Sequence, residues 1–519
     1  MARLFEYQSK ELLKAAGINV PKGRVVGSPE EARAAAEELG GEVVLKVQAW
    51  VTGRASLGGI KIASTPAQAS QLATQLLGMK IKNFVVNQLL VEEKLSIEKE
   101  FFVGLVIDDA AKAPVLIFSS IGGSGVEEIA RLHPEKIFRW TIDVRRGLTV
   151  REILAGLANT DLSAELQAKL AETLVKLVDL GKKYEARSLE VNPLVITSSR
   201  EVVAADAHIV IDDYAVFRHP ELGIEVAREF DRPPTELEKI AYKVEERDYR
   251  GTFYFFQMIE EVPLEGLAIG FHGAGGGGSM MSMDALLRRG FHLANYCDTS
   301  GNPPASKVYR AAKIILSQPG IAGYFASGSG VASQEQYHSA RGLVKAFLEE
   351  RIEVPAVIRL GGNFEEKAIE ILSTYLKEIP GQVEGYGRAD SPDFCAGRLE
   401  KMIQTRPGLR HRVRPLEQPK IPSGAYVFAT MTGTIAIIDS CCLECSSKPC
   451  LQVCSAGILG LREGKTRLVI PAEEARKGKC TECLACELEC QFAGNKGLII
   501  HLPIPGLREY REKVINSIR

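Results

Sequence analysis

Cysteine is almost missing from the first 440 residues, where Cys297 and Cys395 are the only two. That scarcity excludes a disulfide framework spread along the chain. No apolar run reaches the roughly 18 residues of a membrane span. The opening, Met1 to Gln8, lacks the apolar core of a secretory leader, so the expected compartment is the cytoplasm. Charge of either sign is not in excess: 64 Lys and Arg face 65 Asp and Glu. A chain so balanced has no global electrostatic reason to bind nucleic acid or an acidic membrane. What is present is an ordinary globular mixture, 45% apolar and 25% charged. At roughly 100–200 residues per domain, 519 residues predict about three domains.

The other nine cysteines fall between Cys441 and Cys490. Such clustering in a cytosolic chain points to metal. The second run is Cys480-x2-Cys483-x2-Cys486-x3-Cys490, the bacterial iron–sulfur spacing without the usual proline after the fourth cysteine, where Gln491 stands. Three thiolates on a tight loop wrap one face of a cubane, and the fourth, a helical turn on, reaches a second cluster. The first run, Cys442-x2-Cys445-x4-Cys450-x3-Cys454, carries two extra residues, Pro449 among them. It resembles the iron–sulfur subunits of bacterial molybdoenzymes. Crossed ligation then predicts one 4Fe-4S cluster on Cys442, Cys445, Cys450 and Cys490, and a second on Cys454, Cys480, Cys483 and Cys486. The competing reading is a pair of structural zinc sites, but those use paired CxxC knuckles, and x2-x2-x3 is another rhythm. Cys441 is a spare that can replace Cys442 with poorer spacing. Cys297 and Cys395 read as core thiols. Residues 458–470 read as a hairpin and a short helix, which suits a dicluster ferredoxin fold. Two clusters imply electron transfer, oxygen lability and an anaerobic host.

Upstream, the patterning is mixed α/β and α+β. Residues 29–39 and 66–77 read as helices, 42–48, 60–63, 88–93 and 100–108 as strands, 150–183 as one long helical stretch, and 190–205 as a hairpin. A charged connector follows at 227–250. Short buried strands at 267–272, 323–326 and 354–360, each followed by glycines and a helical run, mean a doubly wound parallel sheet. Pro407, Pro415, Pro419 and Pro422 punctuate Arg406, Arg410, Arg412 and Arg414 in a segment that reads as a solvated spacer, or otherwise as a docking strip for an acidic partner. The expected organisation is a nucleotide-binding domain at 1–235, a flavodoxin-like domain at 236–403, a linker at 404–420 and the cysteine domain at 421–519.

Lys46 lies within the apolar strand Val43 to Val47. A lysine there either snorkels from a strand end or meets an anion. The next loop adds Gly53, Arg54, Gly58 and Gly59, which together can cradle phosphates. Glu92 and Glu100 stand at strand ends, placed to hold an adenine amine and a ribose hydroxyl. Asn192 and Asp206, joined by a hairpin, offer Mg²⁺ two hard oxygens. Each piece alone is weak. In this order, with Phe5 to Leu13, Val86 to Glu92 and Glu190 to Val195, the pattern from residue 4 to about 400 resembles the β subunit of succinyl-CoA synthetase. The resemblance implies an ATP-grasp domain followed by a flavodoxin-like one, and ADP-forming ligation of a carboxylic acid to CoA through an acyl phosphate and a phosphohistidine. It implies that Lys46, Gly53 and Arg54 bind ATP phosphates, that Glu92 and Glu100 bind the nucleoside, and that Asn192 and Asp206 hold Mg²⁺.

Two glycine-rich turns follow strands in the second domain, His272 to Ser279 and Ala326 to Gly330. Either is a tight βα turn needing glycine for shape, or an anion site at a helix start. The resemblance implies that Gly328, Ser329 and Gly330, with a helix starting near Ser329, face the phosphohistidine and the acyl carboxylate. It also implies an α-type CoA-binding partner carrying that histidine, since no α-type segment is found here. His272 reads as a satisfied turn residue. Departures from the family pattern are Ala55 for a loop glycine, no acid before Gly122 and Gly123, a first turn two residues longer, and Thr299 to Asn302 in place of three glycines. The first two remove no charge that must meet phosphate; the last two imply a small carboxylic acid other than succinate. The two leading readings are a ligase β chain with a ferredoxin tail, and an ATP-gated electron-transfer subunit acting on a CoA thioester or another poor acceptor, with a further redox partner in either case. A third, a dead ATP-grasp scaffold, is opposed by the intact Lys46, Arg54, Asn192 and Asp206.

Overall fold

The structure is a computed structural model that describes residues 2–518 apart from 41, 52, 123–130, 159, 229, 231, 247–251, 260–266, 329 and 331. The chain divides into two compact units, Met1–Pro234 and Thr235–Arg519. Among the described residues, no helix is long and apolar enough to cross a membrane.

Among the described residues the first unit holds two main antiparallel sheets and a small hairpin of Lys80–Ile81 and Phe84–Val85. In the smaller sheet, Gly23–Val26, Leu89–Glu93, Val43–Val47 and Ile60–Ala63 lie side by side in that order. Strand alternation sends Val43, Leu45 and Val47 into a core with Ala32, Ala35, Ala36, Ala69 and Ala73 of helices Pro29–Leu39 and Pro66–Leu76. Lys46 therefore faces the other way. Ser28 caps the first of these helices by accepting from Glu31 N, and Gly40, at φ 91°, ends it in the left-handed conformation. The larger sheet centres on Ala186–Thr197, which pairs with Ile97–Asp108, Val202–Ala204 and His208–Ile211. The single helical stretch expected over 150–183 is two helices, Val150–Leu157 and Ala164–Lys183. Ser163 separates them by capping the second, and the Thr160 hydroxyl turns back onto Leu157 O at 2.7 Å.

The second unit begins inside the expected charged connector, which contains the helix Glu236–Glu245. A Thr235–Glu238 capping box starts that helix, and Leu237, Ile240, Ala241 and Val244 bury its apolar stripe. The sheet runs Tyr254–Gln257, Asn295–Asp298, Ala268–Ala274, Gly323–Gly328, Ala356–Arg359, Val383–Tyr386, all parallel except the first. Winding reverses between Ala268–Ala274 and Gly323–Gly328, so both glycine-rich turns lie where such sheets bind ligands.

The cysteine segment is part of this unit. A sheet of Tyr426–Ala429, Thr434–Ile437 and Leu498–His501, a hairpin of Leu459–Arg462 and Lys465–Leu468, and helices Ala485–Ala493 and Leu507–Ile518 share one apolar core with the parallel sheet's helices. Arg511, 1% exposed, reaches Glu350 at 2.9 Å, Ser317 Oγ at 2.8 Å and the Lys313 carbonyl at 2.9 Å. Lys345 meets Glu487 at 2.8 Å, and Tyr375 donates to Glu489 at 2.7 Å. The expected solvated spacer is corrected as well. His411 is buried, bonded through Nε2 to Leu316 O at 2.7 Å, and its backbone bridges Gly320 and Ile321. Arg414 pairs with Glu353 at 2.5 Å. Composition reads such a segment as polar, yet its arginines have carboxylates and carbonyls to meet on the surface it crosses.

Candidate functional site

Six charged side chains converge in the first unit. Helix Glu6–Ala15 presents Glu6 and Lys10 one turn apart, and the edge of Val43–Val47 presents Lys46. Glu6 Oε1 lies 2.7 Å from Lys10 Nζ and 2.9 Å from Lys46 Nζ, and Glu6 Oε2 is 2.8 Å from Arg54 Nη2. Glu92 takes Lys10 at 2.5 Å and Lys46 at 2.9 Å. Arg54 Nη2 lies 2.9 Å from both oxygens of Asp206. Both lysines also donate to the Ala205 carbonyl, at 2.8 and 2.7 Å. Three carboxylates thus balance three cations with little water present. Burial alone would raise the Glu6 pKa, but Lys46, Lys10 and Arg54 hold it well below the usual carboxylate range. Burial works against the charged Lys46 too, and Glu6, Glu92 and Asp206 outweigh it, raising its pKa.

The structure therefore brings Lys46, Arg54, Glu92 and Asp206 together in one cluster. Glu92, expected at the nucleoside, is 2% exposed, with its carboxylate on the ammoniums of Lys10 and Lys46. Glu100 is exposed on the strand Ile97–Asp108, where its carbonyl accepts from Gly122 N at 2.9 Å. A side chain on Gly122 would meet Phe101 N at 2.6 Å, so only glycine fits there. Gly53 sits at φ +70°, with its carbonyl taking the Ser56 hydroxyl. The ladder runs from Leu194 opposite Ala204 to Glu190 opposite His208, which sets Asn192 across from Asp206. Asn192 also donates to Glu190 at 3.3 Å. Glu6, Lys10 and His208, the last 3.5 Å from Arg54, were not singled out from sequence. The Glu6/Lys10 spacing of four on a helix was the available signal.

In the second unit, the first turn is held by Asp298, which accepts from Gly275 N at 2.9 Å and Ser300 N at 2.8 Å. Across the crevice, Ser282 and Ser327 hydroxyls meet at 2.7 Å. Ser329, like Thr52 and Gly123, lies outside the described residues. Gly328 O receives Arg359 Nη1 at 3.3 Å, and Gly330 lies at φ +79°. The helix expected to begin near Ser329 begins at Tyr337. The stretch before it is braced instead of helical: Asn302 bonds Gln334 N and the Ser333 hydroxyl, and Asn363 bonds Ser333 O. His272 is buried in the strand Ala268–Ala274, 2.7 Å from Tyr324 Oη and 3.3 Å from Thr299 Oγ1. Burial lowers its pKa to about 3, so it is neutral at any ordinary pH. His272→Phe should cost about 1–3 kcal/mol in urea unfolding, because it strands the buried Tyr324 hydroxyl. An unchanged midpoint would show that hydroxyl satisfied elsewhere.

The cysteines line two separate cavities. One is walled by Cys442, Cys445, Cys450 and Cys490, with Cys441 and Thr466 beside them. The other is walled by Cys454, Cys480, Cys483 and Cys486 among mainly apolar residues. Each cavity draws three cysteines from one run and one from the other. Cys486 and Cys490 share the helix Ala485–Ala493 yet serve different cavities, as do Cys450 and Cys454 around Pro449–Gln452. Cys297 and Cys395 are buried in the parallel-sheet core, where burial raises both thiol pKa values.

Residues 3–196 match the ATP-grasp domain family. The chain is 38% identical over 369 residues to the Thermus thermophilus succinate–CoA ligase (GDP-forming) β subunit, covering 71% of this chain and 93% of that one. It is 36% identical over 379 residues to an ADP-forming succinate–CoA ligase β subunit of Archaeoglobus fulgidus, covering 73% and 94%. More than a quarter of this chain lies outside those matches. In fold it is similar to the ATP citrate lyase of Methanothrix soehngenii, with a TM-score of 0.64 at 18% identity, over 77% of this chain and 99% of that one. With its relatives covered almost end to end at more than a third identity, the chain belongs to the succinate–CoA ligase β-subunit family.

Proposed function

We propose that this chain is the β-type subunit of an ADP-forming acid–thiol ligase, and that its C-terminal segment carries two 4Fe-4S clusters that move electrons. The reaction would join a small carboxylic acid to CoA, with ATP going to ADP and phosphate through a phosphohistidine on an α-type, CoA-binding partner. Lys46, Gly53 and Arg54 are proposed for the ATP phosphates, Glu92 and Glu100 for the nucleoside, Asn192 and Asp206 for Mg²⁺, and the turn Gly328, Ser329, Gly330 for the phosphohistidine or acyl carboxylate. Because Lys46 and Arg54 are already matched by carboxylates, binding phosphate there means releasing Glu6 or Asp206 from them.

The observation that carries the iron–sulfur part is the division of the nine clustered cysteines between two cavities, five in the first with Cys441 among them and four in the second. Space ringed by four thiols suits a polyatomic cubane, whereas a structural zinc draws its ligands to about 2.3 Å around a point. When bound, such clusters supply one-electron transfer. Anaerobically purified protein should contain about eight irons and eight acid-labile sulfides per chain. Stoichiometric zinc without sulfide overturns this reading.

For the nucleotide, Lys46→Ala should weaken Mg-ATP binding about ten- to a hundredfold, the worth of one charge-assisted contact. Equal affinities in titration calorimetry would move the site elsewhere. Ligation should need the second polypeptide: robust CoA-dependent ADP release by the chain alone would refute the partner. One observation favours the second reading, ATP-gated electron transfer. The cysteine segment is bolted to the parallel sheet's helices through Arg511–Glu350 and Lys345–Glu487, which suits coupling better than a free tether does. ATP turnover that depends on reductant would select that reading, and turnover indifferent to loss of the cluster cysteines would select simple ligation.

A further inference from the structure

The two cysteine cavities have unlike walls. Around the first, Thr466 N donates to Cys442 Sγ at 3.1 Å. Its hydroxyl lies 3.2 Å from Cys442 Sγ and 3.6 Å from Cys450 Sγ. Once those sulfurs are thiolates, only the hydroxyl has a proton to give. Lys448, held at φ 44° in the widened loop, folds its ammonium back onto the carbonyls of Cys442 and Cys445. Backbone N–H groups of Lys448 and Asn495 reach Cys445, and those of Gly497 and Leu498 reach Cys490. Ile437 and Leu498 are apolar neighbours in the first cavity; the second is walled by Ile435, Ile458, Leu459, Leu484 and Ile500, with Ser455, Thr481 and Glu482 among them. Glu482 gives its backbone N–H to Cys480, but its carboxylate stays beside the loop, bonded to Thr430 and Thr432. Glu487, one residue past Cys486, is buried with its carboxylate paired to Lys345 at 2.8 Å, so the carboxylate left facing this loop is that of Glu482.

An added electron puts more negative charge on the sulfurs. Hydrogen-bond donors and a nearby cation stabilise that charge, while an apolar wall and carboxylates do not. We propose that Thr466 and Lys448 make the Cys442, Cys445, Cys450 and Cys490 site the first to accept an electron, leaving the Cys454, Cys480, Cys483 and Cys486 site as the lower-potential one. This rests on the reading that both quartets hold 4Fe-4S clusters. The step is the gain of one electron from an external reductant, with no bond made or broken. The widened first loop then has a use beyond accommodating Pro449, since it is what brings an ammonium to the quartet.

The test is a redox titration of the full chain with dithionite and mediator dyes, followed by electron paramagnetic resonance, with iron and sulfide measured on the same samples. Wild type should show two one-electron couples at least tenfold apart in equilibrium constant, about 59 mV. Thr466→Val keeps the backbone donor and removes the hydroxyl; Lys448→Met removes the charge. Each should lower the upper couple and leave the lower one in place. Should Thr466→Val fail to assemble, Lys448→Met decides, because Lys448 binds carbonyls and not sulfur. Eight irons with coincident couples, or variants that move the lower couple or neither, overturn this inference alone. Iron well below eight in wild type overturns the cluster reading beneath it.

Discussion

Replacing Cys442 and Cys490 together by alanine should leave about four irons per chain, while replacing Cys454 and Cys490 together should remove nearly all of them. The contrast follows from the cavities. Cys490 closes the quartet of Cys442, Cys445 and Cys450, so the first pair disables one site and spares Cys454, Cys480, Cys483 and Cys486. The second pair takes one thiol from each. If each run instead bound its own cluster, both pairs would strip both sites alike. Iron and sulfide analysis of the two double variants distinguishes the arrangements. Four irons remaining after Cys454→Ala with Cys490→Ala would refute crossed ligation. The assignment also bears on stability, since the cavities lie within the apolar core shared with the parallel sheet's helices.

Glu6→Gln should lower the stability of the first unit by about 3–5 kcal/mol at neutral pH, the usual result of unpairing a buried charge. Glu6 alone touches all three cations, Lys10, Lys46 and Arg54. Glutamine keeps the shape and removes the charge, leaving three cations to Glu92 and Asp206. Because the Glu6 pKa is depressed on folding, its contribution is complete above the unfolded carboxylate pKa of about 4.3 and is lost as pH falls toward the folded value. Wild type and Glu6→Gln should therefore differ fully at pH 7 and converge in acid. Urea unfolding at pH 7 and at about pH 3 checks both halves. A difference that persists undiminished in acid would mean the carboxylate acts by shape.

Legibility from sequence depended on whether a residue's partners were near it in the chain. The helix Pro29–Leu39 is flagged by Ser28, Pro29 and Gly40, local signals that the folded chain uses as caps. The strands Val43–Val47 and Ile60–Ala63 follow from their own side chains. The cysteines could be sorted into two proposed quartets because the x2, x4 and x3 spacings encode which thiols one loop can aim together; each proposed set lines its own cavity, with Cys441 also on the first. The lysine partners of Glu92 were not legible, because a carboxylate at a strand end looks alike whether it faces a ligand or a lysine. Those partners, Lys10 and Lys46, lie 82 and 46 residues away.

By itself, then, the sequence determined most element types and the family, which rest on short-range periodicity, capping and spacing. The tertiary structure alone decided that Glu6, Lys10, Lys46, Arg54, Glu92 and Asp206 neutralise one another, and that the residues after 403 are seated on the parallel sheet's helices. The reason is physical. A buried charge is tolerated only where opposite charges from distant segments arrive together, and a Pro- and Arg-rich stretch is a spacer or a seam according to whether acceptors such as Glu353 and Leu316 O stand beneath it.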